Sequence, residues 1–173
     1  MQLLIIAVLC FALTPGRHQA QSWQQFSSIE GKFSASMPAE PTVGSMSTNT
    51  KDGIVLTHTV SSSDDNLNEF MVSWTEYKSS EFEKRGTEAT FGKIRDALVA
   101  ANHGKVVSES AISAGSHPAR ALTISKSDGR IIAVRFYFVG NRFYQVMAQT
   151  KPENTGDVER FFESFSFMPG TLV

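Results

Sequence analysis

The chain has 173 residues, in which 16 lysines and arginines nearly balance 17 aspartates and glutamates. With this balance and no run of basic residues, nucleic acid and anionic membranes are poor candidate partners. The length is typical of one domain.

The first twenty residues predict a cleavable export signal. Residues 3–13 are uncharged and apolar, and Pro15 and Gly16 end this run shortly before Ala20. An apolar stretch of roughly 7–15 residues that ends near a small residue is typical of a secretory signal peptide. It is too short for a membrane anchor, which needs roughly 20 residues; the alternative is a buried first strand or helix. We expect residues 1–20 to be the signal peptide, residues 21–173 to be the mature domain, and the protein to be periplasmic or secreted.

Cys10 is the only cysteine and lies within the predicted signal. The predicted mature chain therefore has no structural disulfide, no thiolate metal site and no cysteine nucleophile. Its core alone must hold it together. A chain of about 150 residues buries about 68–70% of its unfolded surface, which suffices.

Short β-rich runs fill the first half of the mature chain. They alternate with turn residues, and the Asp52-Gly53 pair predicts a tight hairpin between the third and fourth runs. The predicted strands are Trp23–Ser27, Lys32–Met37, Thr42–Thr50, Ile54–Ser61 and Phe70–Tyr77.

Two amphipathic helices are predicted, over residues 87–103 and about 156–165. Apolar residues recur in both at spacings of three and four, which places them on one face of each helix. Gly104 is expected to supply a left-handed stop for the first helix. The apolar stripes are Phe91, Ile94, Leu98 and Ala101 in the first helix and Val158, Phe161, Phe162 and Phe165 in the second.

Four more strands form a predicted meander between the helices. We interpret Gly140-Asn141 and Asp128-Gly129 as two-residue turns, which fix the register of three of these strands. The first turn pairs Val139 with Arg142, and the second pairs Ala121 with Phe136. The predicted strands are Val106–Ser113, Ala119–Ser127, Arg130–Val139 and Arg142–Thr150.

Both faces of this meander are largely apolar under that register. A sheet that exposes one face to water normally shows a polar second face. We therefore predict an α+β fold in which a mostly antiparallel sheet is covered on both sides by the helices and the N-terminal hairpins, an α/β/α arrangement. One face collects Ala119, Ala121, Ile132, Val134, Phe136, Phe138, Phe143 and Met147, and the other collects Leu122, Ile124, Ala133, Tyr137, Tyr144, Val146 and Ala148.

Several segments of the chain resemble the PsbP-like (Mog1/PsbP) superfamily. The resemblance covers essentially the whole mature chain and implies a central antiparallel sheet between helices. The superfamily includes extrinsic photosystem II subunits, a nuclear transport factor and many exported bacterial proteins of unknown role, without a shared active site. The segments are Trp23 with Phe26, residues 30–34, Met37-Pro38 with Pro41, residues 116–120, residues 138–145 and residues 160–165.

Sequence patterns of known catalytic and cofactor chemistry are missing. His58, His103 and His117 form no metal-ligand spacing, no Gly-x-Ser-x-Gly elbow is present, and no glycine-rich phosphate loop occurs. We expect no cofactor, and we prefer a non-enzymatic role to an enzymatic one. An acidic loop of Asp64, Asp65 and Glu69 has the oxygen ligands that Ca²⁺ favours, but it lacks the spacing of a calcium loop, so a solvated turn is the preferred interpretation.

One cluster of polar side chains is a candidate ligand site. Under the predicted register Arg120, Tyr137 and Tyr144 lie side by side on the same face, and Arg135 and Arg142 point the same way. Guanidinium groups beside phenol rings bind carboxylates, phosphates or peptide segments. The alternative is that the arginines reach out from the sheet margin to helix acids such as Glu159, or that the rings pack under a helix.

The leading hypothesis from the sequence is an exported, non-enzymatic interaction module, an accessory or scaffolding subunit of a cell-envelope complex. It would have a protein partner in the envelope and no membrane anchor after signal cleavage. The alternatives are a periplasmic carrier of small molecules or ions that uses the Arg/Tyr patch, and an unrecognised hydrolase.

Overall fold

A computed structural model describes residues 23–50, 53–77 and 87–172. The predicted export signal, residues 1–20 with Cys10, lies outside the described residues and stays a prediction.

The described residues form two antiparallel sheets and two α-helices. The main sheet has seven strands in the order β3-β4-β5-β9-β8-β7-β6, and a small sheet has the order β1-β2-β10. No helix in the described part of the chain is long and apolar enough to cross a membrane. The elements are β1 (Gln24–Ser28), β2 (Phe33–Met37), β3 (Thr42–Thr50), β4 (Gly53–Ser63), β5 (Glu69–Glu76), α1 (Thr87–Ala101), β6 (Lys105–Ala114), β7 (His117–Ser125), β8 (Ile131–Val139), β9 (Arg142–Thr150), a 3-10 turn (Pro152–Asn154), α2 (Thr155–Ser164) and β10 (Ser166–Phe167).

One face of the main sheet, here called the small-sheet face, is covered by β1, β2, β10 and α2. Aromatic and aliphatic side chains fill the space between the layers, and burial of this apolar surface is the main stabilising contribution. The buried residues are Phe33, Ala35, Met37, Val60, Phe70, Val72, Trp74, Ala119, Ala133, Tyr137, Val139, Tyr144, Val146, Ala148, Val158, Phe161 and Phe162.

The opposite face, here called the helix face, packs against α1. The buried residues there are Phe91, Leu122, Ile124, Ile132, Val134, Phe136 and Phe138, with Ile94, Leu98, Val99, Phe143 and Met147 partly buried against them. The mostly antiparallel α+β fold is therefore confirmed. The description of a sheet between helices is too simple, because a three-stranded sheet and one short helix share the small-sheet face.

The two predicted turns of the meander have different outcomes. Val139 lies opposite Arg142, as predicted. The prediction that Ala121 lies opposite Phe136 is wrong, because Arg120 pairs with Phe136 and Ala121 with Arg135. The β7–β8 turn has three residues, 127–129, closed by a bond from Lys126 N to Arg130 O of 2.8 Å. A shift of one residue exchanges the two faces of β7, which moves Leu122 and Ile124 to the helix face.

The N-terminal hairpins also differ from the prediction. The β3–β4 hairpin is confirmed, with pairs from Thr42 and Ser61 to Thr50 and Gly53. The prediction that Asp52-Gly53 forms its turn is wrong for Gly53, which pairs with Thr50 as the first residue of β4. However, it extends the main sheet by pairing β4 with β5, so it does not cover a face. Only the β1–β2 hairpin lies over the sheet.

The end of α1 shows a third difference. His103, with φ 47°, is the left-handed residue, and Gly104 is not. His103 N donates to Ala100 O and Gly104 N donates to Val99 O at 3.0 Å, the two bonds of a Schellman cap. Gly104 is needed for another reason: a Cβ there would lie 2.4 Å from Ile124 Cγ2 and 2.8 Å from Ser125 O.

Candidate functional site

Arg142 ties the turn between β1 and β2 to the main sheet. It opens β9 on the small-sheet face, and its Nη1 donates to the carbonyl oxygen of Glu30 at 2.7 Å. Its Nε lies 3.6 Å from Glu76 Oε1, and Asn141 Nδ2 donates to that same oxygen at 3.2 Å. Arg142 is only 15% exposed while Glu76 is 57% exposed. The guanidinium is thus partly covered, with one exposed carboxylate beside it.

Two tyrosines lie beneath this arginine. Tyr144 is fully buried and Tyr137 nearly so. Phe167 meets both rings edge-on. Burial raises the pKa of both hydroxyls, and Arg135 and Arg142 oppose this rise at Tyr137 and Tyr144 respectively. The Tyr144 hydroxyl has no hydrogen-bond partner of normal geometry, although Arg142 lies near enough to affect its pKa.

Arg135 lies on the same face as these tyrosines. Its guanidinium lies 4.4 Å from the ring centroid of Phe162 in α2, a cation–π contact. The structure therefore brings Arg135, Tyr137, Arg142 and Tyr144 to one face, as the sequence predicted. The tyrosine rings are covered by β10, so only the arginines reach the margin of this patch.

Arg120 is the exception among the predicted site residues, since it lies on the helix face. The expectation that it shares a face with Tyr137 and Tyr144 is wrong, because the β7–β8 turn is one residue longer than predicted. Its Nη1 donates to Glu109 at 3.1 Å, its Nη2 pairs with Glu88, and its guanidinium lies over the Phe91 ring. Arg120 links α1, β6 and β7.

Sequence reasoning missed a contact beside Arg142. The His58 ring stacks on Trp74 at 4.8 Å, and His58 Nδ1 lies 3.4 Å from Glu30 Oε1. These residues come from β4, β5 and the β1–β2 turn. His58 lies opposite Trp74 because β4 pairs with β5, and both lie beside Arg142 only because β5 pairs with β9. No local sequence signal shows the second pairing.

Asp64, the first residue of the acidic loop, has a structural role. Asp64 Oδ1 accepts bonds from Asn66 N at 2.8 Å and from Asn68 N at 2.9 Å. Asp64 Oδ2 accepts from Asn68 Nδ2 at 2.7 Å, and Glu69 accepts from Gln149. Among the described residues, no group of three metal-ligating side chains occurs.

The strand β3 forms one edge of the main sheet, and every residue from 42 to 49 is exposed. Its sequence, TVGSMSTNT, has no charge and no proline, and its pairing with β4 runs without a bulge. No other described strand pairs with β3. Val43 and Met46 are 61% and 65% exposed, so this edge presents apolar side chains beside free backbone groups.

Another exposed apolar region adjoins this edge. β4 pairs with β5 only from Thr57 onward, so among the described strands residues 54–56 pair with β3 alone. Ile54 and Leu56 there are 74% and 41% exposed. A two-stranded ribbon is marginally stable in water by itself, so an exposed apolar end is an unusual feature of a free surface.

Comparison with solved structures shows that the fold is PsbP-like, which confirms the resemblance inferred from the sequence. The solution structure of cyanobacterial PsbP (CyanoP) from Synechocystis matches with a TM-score of 0.58 and 12% sequence identity. The match covers 89% of this chain and 97% of that chain. Neither a family model nor a curated protein matches the chain. At this identity the likeness establishes the fold alone.

Proposed function

We propose that the protein is an exported, non-catalytic interaction module, an accessory subunit of a cell-envelope complex that binds an extended segment of a partner protein along β3. The export pattern of residues 1–20 supports the location in the periplasm or outside the cell. The PsbP-like fold is compatible with this function, although it does not by itself imply a partner.

The observation that carries the proposal is the open edge of β3. An exposed edge strand presents unpaired N–H and C=O groups that pair with any extended chain. Proteins normally protect such an edge with charges, prolines, bulges or a covering element. β3 has none of the first three in its sequence or its register. Strand addition uses main-chain hydrogen bonds for affinity and neighbouring side chains for specificity.

The apolar side chains beside the edge give such a segment a surface to pack against. On the small-sheet face Val43 and Leu56 are exposed, and on the helix face Met46 is exposed. Alternate residues of an added strand would meet these two sets in turn. The expected partner segment therefore has aliphatic residues on both faces.

Affinity capture from the native envelope tests the proposal. The full chain with Val43→Lys and Met46→Lys is compared with the wild type and with a matched control, Val106→Lys and Val107→Lys on β6. The pairs have similar exposure, at 61% and 65% against 44% and 63%, and they add equal charge. We expect the β3 variant to lose at least about tenfold in partner capture, roughly 1.4 kcal/mol, and the control to keep it. Equal capture by all three proteins, or no reproducible partner, contradicts the proposal.

A small-ligand carrier is the second candidate, and one observation favours it. The hydroxyl of Tyr144 is buried without a partner beside Arg142, and leaving such a group unpaired costs about 1–3 kcal/mol. A carboxylate or phosphate held by Arg142 beside Tyr144 would satisfy it. Native mass spectrometry of the purified protein would show retained ligand mass, lost in Tyr144→Phe. A spectrum that contains only the mass of the protein contradicts a carrier.

A further inference from the structure

A carboxylate of the chain itself lies where an anion would meet Arg142. Glu76 ends β5 and Arg142 opens β9, and the two residues are direct partners in the β5–β9 pairing. Directly opposite residues of an antiparallel pair have Cβ atoms about 4.5–5.5 Å apart on the same face. Glu76 Oε1 therefore reaches the guanidinium from the neighbouring strand and lies 3.6 Å from Nε.

The contact between Glu76 and Arg142 is weak. Its 3.6 Å separation is longer than the usual range of an N–H···O hydrogen bond, about 2.7–3.2 Å. The Glu76 side chain is more than half exposed, and an exposed ion pair contributes little because water competes for both charges. The bond from Arg142 Nη1 to Glu30 O, at 2.7 Å, is short by comparison. The guanidinium thus stays in place when the Glu76 carboxylate turns away.

The hydroxyl of Tyr144 lies close enough to both charges to respond to them. Burial raises the pKa of this hydroxyl, Arg142 lowers that pKa, and the charge of Glu76 raises it. The Tyr144 side chain is fully buried, yet its hydroxyl has no hydrogen-bond partner of normal geometry. Glu76 in its observed position does not supply the missing acceptor. An anion seated closer to Arg142 would accept bonds from the guanidinium and from the hydroxyl.

We propose that Glu76 is a built-in competitor at this site, displaced by a small carboxylate that binds Arg142 Nε and accepts a hydrogen bond from Tyr144. The inference rests on the second candidate function, the carrier, and is independent of strand addition. A carboxylate fits better than a phosphate because Arg142 brings one positive charge and the displaced Glu76 stays nearby. Guanidinium and carboxylate groups are also both planar and match each other's geometry. The ligand is small, because only 15% of the Arg142 side chain is exposed.

Titration with acetate tests the proposal. Sodium acetate is added to the isotopically labelled full chain at constant ionic strength, and the NMR signal of the Arg142 Nε–H group is followed. We expect a saturable shift of this signal in the wild type. In Glu76→Gln the competing charge is gone, and the half-saturating acetate concentration should fall about two- to fivefold.

The matched control is Glu88→Gln. Glu88 is likewise an exposed partner of a covered arginine, with side-chain exposures of 78% for Glu88 and 17% for Arg120. It lies on the other face of the sheet, and its substitution changes the net charge by the same amount. Acetate binding at Arg142 should be unchanged in this variant.

Tyr144→Phe tests the hydroxyl. The substitution removes a buried group that has no partner, so Tm should not fall. Acetate affinity should fall at least about fivefold, because a hydrogen bond to a charged acceptor is lost. A lower Tm with unchanged acetate affinity would show that the hydroxyl serves the fold, which overturns its role in binding.

The remaining outcomes separate the competitor from the carrier. Equal acetate affinity in the wild type and Glu76→Gln overturns the competitor and leaves the carrier standing. The absence of a saturable shift in every variant contradicts both. Tighter binding of inorganic phosphate than of acetate overturns the choice of a carboxylate.

Discussion

The two edge strands of the main sheet are similar in length and exposure but differ in their protection. β6 carries Lys105 and Glu109 and has a bulge between Val106 and Ser108. Its Glu109 pairs with two arginines, Arg95 and Arg120, one from α1 and one from β7. β3 has no charge, no bulge and no such tie. The comparison shows that two edges of similar exposure differ in their protection, and the proposal of strand addition rests on that difference.

The largest expected effect comes from breaking the close packing where β6 begins. Gly104→Ala places a Cβ against Ile124 and the backbone of Ser125, and such overpacking costs about 1–3 kcal/mol. The control Gly92→Ala lies in α1 with open space around it and should stabilise by about 0.5–1 kcal/mol. Denaturant unfolding measures both. Equal effects of the two substitutions would contradict the close approach of β6 and β7.

The second largest effect on stability is expected when the ion pairs that hold β6 are removed. Glu109→Gln removes the carboxylate that Arg120 contacts from a 17% exposed position. A half-buried charged hydrogen bond of this kind contributes about 1–2 kcal/mol to the free energy of unfolding. The control is Glu88→Gln. The Glu88 side chain is 78% exposed, so its substitution should change the free energy of unfolding only slightly. Denaturant unfolding measures both variants. An unchanged stability in Glu109→Gln would show that the ion pairs of Glu109 with Arg120 and Arg95 do not stabilise β6.

A smaller effect is expected at the cap that precedes β6. His103→Gly relieves a left-handed conformation, so the free energy of unfolding should rise by about 0.5–1 kcal/mol. Thermal unfolding at one pH is the measurement. A loss of stability would mean that the imidazole makes contacts that offset its backbone strain.

The smallest effect on stability is expected on β3. Val43→Lys with Met46→Lys changes exposed side chains and should alter the free energy of unfolding by less than about 0.5 kcal/mol. A loss of partner capture in this variant would then report on binding alone. A large loss of stability would show that β3 is held by packing and is not a free edge.

Much of the fold could be predicted from local sequence patterns, and the errors in that prediction come mainly from the lengths of turns. Gly140-Asn141 and Asp128-Gly129 are equally good turn signals, yet the second belongs to a three-residue turn with Gly129 at φ 84°. An Asp-Gly pair fits both turn lengths, so the sequence does not decide between them. The one-residue difference reversed the faces of β7 and moved Arg120 away from the predicted patch.

Only the part of the candidate site that lies on a single hairpin could be predicted from the sequence. Arg135, Tyr137, Arg142 and Tyr144 share a face because one hairpin joins their strands. Glu30 and His58 were missed because their positions depend on β5 pairing with β9. The open edge of β3 was missed for the same reason, since the order of strands across the whole sheet decides which strand lies at its edge.

Hydrogen exchange of the full chain, with and without the captured partner, tests strand addition on β3 most directly. New main-chain hydrogen bonds slow the exchange of the amides that form them. We predict increased protection for backbone amides within Thr42–Thr50 and unchanged protection within Lys105–Ala114. Protection that appears on β6, or on neither edge while the partner is bound, would contradict the account.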